Sequence, residues 1–229
     1  MNFANVKFDA FDAEDFIVCL GLGSNVGDKE SNLLKALDFI KNGTNVLSEL
    51  SIKHKSLLSE VNILGVSSIY LTSPVGNENQ PFFLNCAVIL SISSKSHNNI
   101  GDLSGFFHEL LSFLKNIEKI MGRKEYSARY MPRVIDIDIL FAYEVSSKKY
   151  IHIDSPDLKI PHKEIFKRLF VMLPLLDLIN ISNGFILKKP FDKESIKKAL
   201  ADLKKTDTGA SQEISYYAKF DENLRGIAR

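Results

Sequence analysis

Asp136 and Asp138 stand two residues apart in V-I-D-I-D-I-L, interleaved with Ile135, Ile137 and Ile139. That alternation has the period of a half-buried strand, isoleucines inward and both carboxylates on the other face. Side chains two apart on a strand are about 6.5–7 Å apart at the backbone, close enough to share or bridge metal ions. Upstream, Pro132 stiffens the entry, and Arg129 and Arg133 set two permanent cations beside the acids. Oxygen-only ligands suit Mg²⁺, which takes one or two carboxylates plus substrate phosphates. The planar fork of arginine matches phosphate oxygens. Together these residue types point to chemistry on a nucleotide. An alternating D-I-D is also the ordinary wet face of a sheet, and exposed Arg–Asp pairs contribute little, so the assignment depends on what surrounds it.

The surroundings begin with a chain of 229 residues, 45% hydrophobic and 25% charged, which fits one globular domain with extensions. A net charge of +1 gives no overall steering toward nucleic acid or membrane, so any basic site is local. Cys19 and Cys86 both sit in apolar runs and read as buried free thiols of a reducing compartment. The acidic N-terminus lacks the basic start and apolar run of a signal peptide, and no apolar stretch matches a bilayer. The expectation is a cytoplasmic protein.

Residues 1–15 read as a leader. Phe16–Leu22 is a central strand, running into the turn cluster Gly21–Asp28 and a helix capped by Asp28 and stopped by Asn42-Gly43. Gly21, Gly23 and Gly27 approximate a dinucleotide fingerprint, but the spacing is one residue too long and no second βαβ unit follows. Asn45–Asn62 reads as a long loop or short extra helix carrying His54. Val61–Leu71 reads as one strand, Thr72–Pro81 as a loop, and Phe82–Ile92 as a strand forming a hairpin with it. Phe82 and Phe83 face opposite ways, one to the core and one to a ligand. Leu103 to Met121 keeps a helical period closed by Gly122, with Glu118 outside its apolar stripe as a solvated position. Tyr143–Ile153 reads as a small hairpin, and a short amphipathic helix with Arg168 follows Lys159–Lys163. Phe170–Leu178 reads as a final core helix or turn and Phe191–Lys205 as one further helix. Thr206–Arg229 offers little to a core and reads as a loose tail or a partner-docking segment.

Stripped to its elements the order is β-α-β-β-α-β, an α+β ferredoxin-like core with an antiparallel-rich sheet and helices on one face. RNA-recognition modules share that layout but need exposed aromatics on the central strands, where this chain has apolar and acidic residues. No nucleic-acid or membrane partner is expected.

Five separated stretches carry a resemblance: G-L-G-S-N at Gly21–Asn25; T-S-P-V-G at Thr72–Gly76 with Q-P-F-F-L-N at Gln80–Asn85; I-E-K-I-M-G-R at Ile117–Arg123; R-Y-M-P-R-V-I-D-I-D-I-L at Arg129–Leu140; and I-P-H-K-E-I-F-K-R-L-F-V at Ile160–Val171. In this order they resemble the 6-hydroxymethyl-7,8-dihydropterin pyrophosphokinases of folate biosynthesis, over Phe16 to Leu178. The resemblance implies a pyrophosphokinase domain over residues 16–180, with a C-terminal helix and polar tail over 181–229.

It also implies a reaction, pyrophosphoryl transfer from ATP to the pterin alcohol, and roles for residues. Asp136 and Asp138 become ligands of two Mg²⁺ ions. Arg123, Arg133 and Arg168 contact the triphosphate, with His162 and Lys163 beside it, Glu118 and Ile139 near the nucleotide, and Arg129 on a closing loop. Arg123, Arg129, Arg133, Asp136 and Asp138 form the catalytic set. Thr72, Ser73, Pro74, Val75, Phe83, Asn85, Tyr130 and Phe170 line the pterin site, and Asn25 supports that region. The family's usual tryptophan is Tyr130 here and its frequent glycine Met131. The implied partners are ATP and the pterin, with association with the next folate enzyme or a second copy through the tail. Two other readings stand beside this one: an ordinary kinase or nucleotidyltransferase reusing the metal site, and a non-catalytic ferredoxin-like module.

Overall fold

The computed structural model describes residues 15–49, 61–76, 78–93, 103–124, 131–181, 189–221 and 223–228. Residues 1–14 of the leader, residues 50–60 of the 45–62 segment, Arg129 and Tyr130 lie outside the described residues. Strand β1 (Asp15–Ser24) is central because it is apolar on both sides. Phe16, Val18, Leu20 and Leu22 enter one hydrophobic cluster, Ile17 and Cys19 the other. A strand buried on both faces reads as a continuous apolar run, as F-I-V-C-L does.

Helix α1 (Lys29–Glu49) follows. Asp28 caps it, its Oδ1 accepting from the Ser31 N–H at 3.0 Å. The helix does not stop at Asn42-Gly43: a glycine ends a helix where the chain turns left-handed, and mid-helix it costs only about 1 kcal/mol. The expected strand Val61–Leu71 is two strands, β2 (Val61–Val66) and β3 (Ile69–Thr72). Ser67 and Ser68 interrupt it, because the Ser67 hydroxyl takes over ladder bonding, accepting from Ala87 N–H at 2.9 Å, while the Ser68 N–H donates to Asp177 at 2.6 Å. Strand β4 (Phe83–Ser93) pairs antiparallel with β1 on one edge and with β3 and then β2 along the other.

Helix α2 (Leu103–Ile120) buries Phe106, Phe107, Leu110, Phe113, Leu114 and Ile117. Gly122, at φ 90°, ends it and turns the chain so that Arg123 N–H donates to the Glu118 carbonyl. Strand β5 (Asp136–Glu144) pairs with the other edge of β1, and β6 (Lys149–Tyr150) completes the expected hairpin. β7 (Ile153–Asp154) and β8 (Lys159–Ile160) form a separate two-stranded ladder. A 3₁₀ turn (Ile165–Lys167) leads to α3 (Leu169–Ile181), then α4 (Lys193–Leu203) and the short α5 (Asp207–Ala210).

Two further expectations are corrected. Helices cover both faces: α1 and α2 pack on one, α3 and α4 on the other, where Leu169, Met172, Leu175, Leu178, Ile196 and Leu200 meet Ile17, Cys19 and Phe141. The tail is not loose. β9 (Ile214–Phe220) pairs with β3, and β10 (Ile227–Ala228) with β9. The Tyr217 hydroxyl donates to the Glu30 carboxylate, tying β9 to α1. Among the described residues the main sheet has eight strands in the order β10-β9-β3-β4-β1-β5-β6, with β2 also on β4. This is the α+β, antiparallel core expected, extended by two C-terminal strands. No described helix is long and apolar enough to cross a membrane.

Candidate active site

The face carrying α3 and α4 opens into a cavity of about 450 Å³ at one end of the central strands, within the range of small-molecule sites. Its floor is set by register. On β1, Gly21 lies opposite Asp138 and Gly23 opposite Asp136; across the other edge of β1, the same glycines face Ala87 and Asn85. Two glycines at period two therefore leave a strip of bare backbone between the carboxylates and the amide. A Cβ on Gly23 would stand 2.6 Å from Asn85 Oδ1. Glycine within a strand marks such close approach, a signal in G-L-G that sequence reading assigned to a turn.

Asp136 is held between two guanidiniums. Arg123 Nη1 donates to its Oδ1 at 2.6 Å and Arg133 Nη1 to its Oδ2 at 2.7 Å. Burial pushes the carboxyl up, but Arg133, Arg123 and Lys115 outweigh it and hold it below the usual range. Asp138 goes the other way: burial first, then the Asp136 charge, push it up against the opposing pull of Lys115, His162 and Arg168. Two crowded carboxylates of which one is destabilised by the other suit a hard divalent cation. No third His, Cys, Asp or Glu joins them among the described residues, so phosphate oxygens and water would complete such a site.

Glu118 is not a solvated position. Its side chain is 3% exposed, accepting from Ile137 N–H at 2.7 Å and pairing with Arg123 at 2.6 Å and Lys115 at 2.9 Å. Burial raises its pKa, Lys115 and Arg123 lower it, and the net direction is up. It stands behind the cavity and aims Arg123 at Asp136. Lys115, one turn before it, lines the cavity and escaped sequence reading, although the i,i+3 Lys–Glu spacing on α2 was visible.

One wall combines Thr72, Ser73, Val75, Gln80 and Phe83 with Asn85, whose Nδ2 donates to Thr72 Oγ1 at 2.7 Å. Phe83 faces the cavity, whereas Phe82 is 40% exposed and belongs to no core. Asn25, buried, links this wall to the loop before β5: Oδ1 accepts from Arg133 N–H at 2.8 Å, and Nδ2 donates to Gln80 and to the Pro81 carbonyl. A second wall brings His162, Glu164, Lys167, Arg168, Phe170 and Val171 together with Met131 and Thr208. The Arg168 guanidinium lies 5.6 Å from the Phe170 ring centroid. His162 caps a turn, its Nδ1 accepting from Glu164 N–H at 3.2 Å, and burial holds the ring below its ordinary pKa despite Asp138. Five cationic side chains against three carboxylates line the cavity, a balance suited to a polyphosphate.

The structure does not bring every expected residue to the cavity. Ile139 points into the α1/α2 core, as period two requires of a neighbour of Asp138. Pro74 is buried and Lys163 is exposed, and neither reaches the cavity wall. Glu118 stays behind it.

Comparison with known proteins places the chain among relatives. Residues 19–180 match the family model described as 7,8-dihydro-6-hydroxymethylpterin-pyrophosphokinase. A 2-amino-4-hydroxy-6-hydroxymethyldihydropteridine pyrophosphokinase of Bacillus subtilis is 34% identical over 181 residues, covering 79% of this chain and 89% of that protein. A folate synthesis bifunctional protein of Arabidopsis thaliana is also 34% identical, over 78% of this chain, and the chain spans 29% of its length. A solved structure titled as HPPK-DHPS in complex with substrates has a TM-score of 0.51 at 16% identity, over 93% of this chain and 49% of that one, and shows the same fold. The family model covers most of the chain and includes both aspartates, the arginines and the Thr72–Asn85 wall; the chain belongs to the 7,8-dihydro-6-hydroxymethylpterin-pyrophosphokinase family.

Proposed function

We propose that this chain transfers the pyrophosphoryl group of ATP to the hydroxymethyl oxygen of 6-hydroxymethyl-7,8-dihydropterin, giving AMP and the pterin diphosphate in folate biosynthesis. The observation that carries this reading is the Asp136–Asp138 pair facing Gly21 and Gly23 in one cavity, between a basic wall and an amide- and ring-bearing wall. The alcohol oxygen attacks the β-phosphorus, the bond from that phosphorus to the α-phosphate oxygen breaks, and its electron pair leaves on AMP. The alcohol proton passes to water. Such a transfer needs positioning and charge neutralisation more than covalent help.

Arg123, Arg133 and Arg168 hold the triphosphate, with Lys115 and Lys167 adding charge along its path. Thr72, Ser73 and Asn85 supply hydrogen-bonding groups for the edge of the pterin and Phe83 a ring face for it. Asp136 and Asp138 would hold two Mg²⁺ ions, the basis for reading the activity as Mg²⁺-dependent. When bound, Mg²⁺ neutralises phosphate charge and orients the oxygens of substrate and leaving group. Association with a neighbouring folate enzyme is supported by the bifunctional name of the Arabidopsis relative.

Incubation of the purified protein with ATP, Mg²⁺ and the pterin alcohol is expected to release AMP only when the pterin is present, and chelation of Mg²⁺ to abolish that release. ADP would identify an ordinary kinase, pyrophosphate a nucleotidyltransferase, and no released nucleotide a binding module.

A further inference from the structure

We propose that Gln212, beyond the stretch matched by the family, is a positioning residue that holds Arg168 in the phosphate-binding wall, while the backbone of Glu213 beside it ties that wall to Ser73. The proposal rests on the reading of the cavity given above. Gln212 Oε1 accepts from Leu169 N–H at 2.8 Å, and its Nε2 donates to the Lys167 carbonyl at 3.3 Å. One planar amide thus grips the peptide groups on both sides of Arg168.

The grip falls at the junction of two elements. Arg168 is extended, at φ −129° and ψ 115°, between the 3₁₀ turn and α3. Leu169 N–H belongs to the first turn of α3, whose donors have no partner within the helix. Gln212 supplies that partner from another part of the chain. Its Nε2 also donates to the Thr208 carbonyl at 3.0 Å, which anchors the amide on its own segment, and Thr208 itself lines the cavity.

The next residue reaches across. Glu213 N–H donates to Ser73 Oγ at 3.0 Å, and Ser73 N–H donates to the Glu213 carbonyl at 2.9 Å. Two consecutive residues therefore bridge the basic wall and the Thr72–Asn85 wall. The family match ends at residue 180, so this bridge is an addition of the C-terminal segment to the site.

Gln212→Ala is expected to raise the KM for ATP, and the dissociation constant of a non-hydrolysable ATP analogue measured by calorimetry, about tenfold, through loss of two hydrogen bonds that orient Arg168. The KM for the pterin and the unfolding temperature stay close to wild type. In an Arg168→Ala background the same substitution adds nothing, because the residue it acts through is gone. Gln212→Glu keeps the acceptor for Leu169, loses the donor to Lys167 and falls between; it carries the test if the alanine variant does not unfold cooperatively. Unchanged ATP affinity in both Gln212 variants, or fully additive losses in the double variant, overturns the positioning role. Arg168→Ala that binds the analogue as wild type does would instead defeat the phosphate-wall reading beneath it.

Discussion

Gly23 and Asn85 face each other across the β1–β4 ladder, and the space a Cβ would need at Gly23 is occupied by the Asn85 carbonyl oxygen, 2.6 Å away. Gly23→Ala must push the amide off its Thr72 partner or spread the strands. Overpacking of this kind costs about 1–3 kcal/mol. Denaturant unfolding should show that loss, and steady-state kinetics should show a raised KM for the pterin with the KM for ATP less affected. An unchanged pterin KM would remove Asn85 from the pterin wall.

Asp138 sits where burial and the Asp136 charge both disfavour its ionised form. Asp138→Asn removes that unfavourable charge at nearly constant shape. Pyrophosphoryl transfer should fall at least about a hundredfold, the scale of several kcal/mol of lost charge stabilisation. Thermal unfolding without divalent ions should occur at the wild-type temperature or above it. An active Asp138→Asn enzyme would mean that the metal-binding pair lies elsewhere.

Glu118 holds Arg123, Lys115 and the Ile137 amide at once, from a side chain 3% exposed. Glu118→Ala leaves the Ile137 amide without its acceptor and strips the partly buried Arg123 of one of its two carboxylate partners, Asp136 being the other. Breaking a buried pair in this way costs about 3–5 kcal/mol. Urea unfolding reads the loss directly, and a stability within about 1 kcal/mol of wild type would contradict the arrangement.

Asp192 caps α4, its Oδ1 accepting from Ser195 N–H at 3.0 Å and its Oδ2 from the Ser195 hydroxyl at 2.9 Å. The Ser195 backbone bond is the main reason that its pKa is lowered. The folded value therefore lies below the unfolded one, near 3.9. The stabilisation is present above the unfolded value and is lost as pH falls through the folded one. Asp192→Asn keeps a capping oxygen without the charge. Urea midpoints measured from about pH 7 down to about pH 2.5 should show a wild-type advantage that disappears at the acid end. An advantage independent of pH would locate the effect in shape rather than charge.

The legible parts of the sequence were those where one face of an element is wholly apolar. The D-I-D alternation on β5, the stripe of α2 and the cap at Asp28 all announce themselves by period or by residue type. The break at Ser67 was hidden because a hydroxyl replacing a ladder amide leaves the apolar pattern of Val61–Leu71 undisturbed. Glu118 and Lys115 were hidden for a related reason: periodicity sorts polar residues outward and cannot reveal that Arg123, folded back after Gly122, supplies a buried partner. Ile214–Phe220 escaped because Ala218 is its one buried residue, so its strand character comes from pairing with β3 rather than from a hydrophobic pattern. Gln212 has no local signature, since its grip on the Lys167 and Leu169 peptide groups spans more than forty residues of sequence.

The C-terminal strand also has a bearing on solubility. β3 is only four residues long, and without β9 its outer edge would present bare amide and carbonyl groups. Such an edge is a template for intermolecular pairing and aggregation. β9 takes up those groups and moves the margin of the sheet outward, where the two-residue β10 pairs with its end at Lys219 and Phe220, and an edge strand that short discourages a further chain from adding on.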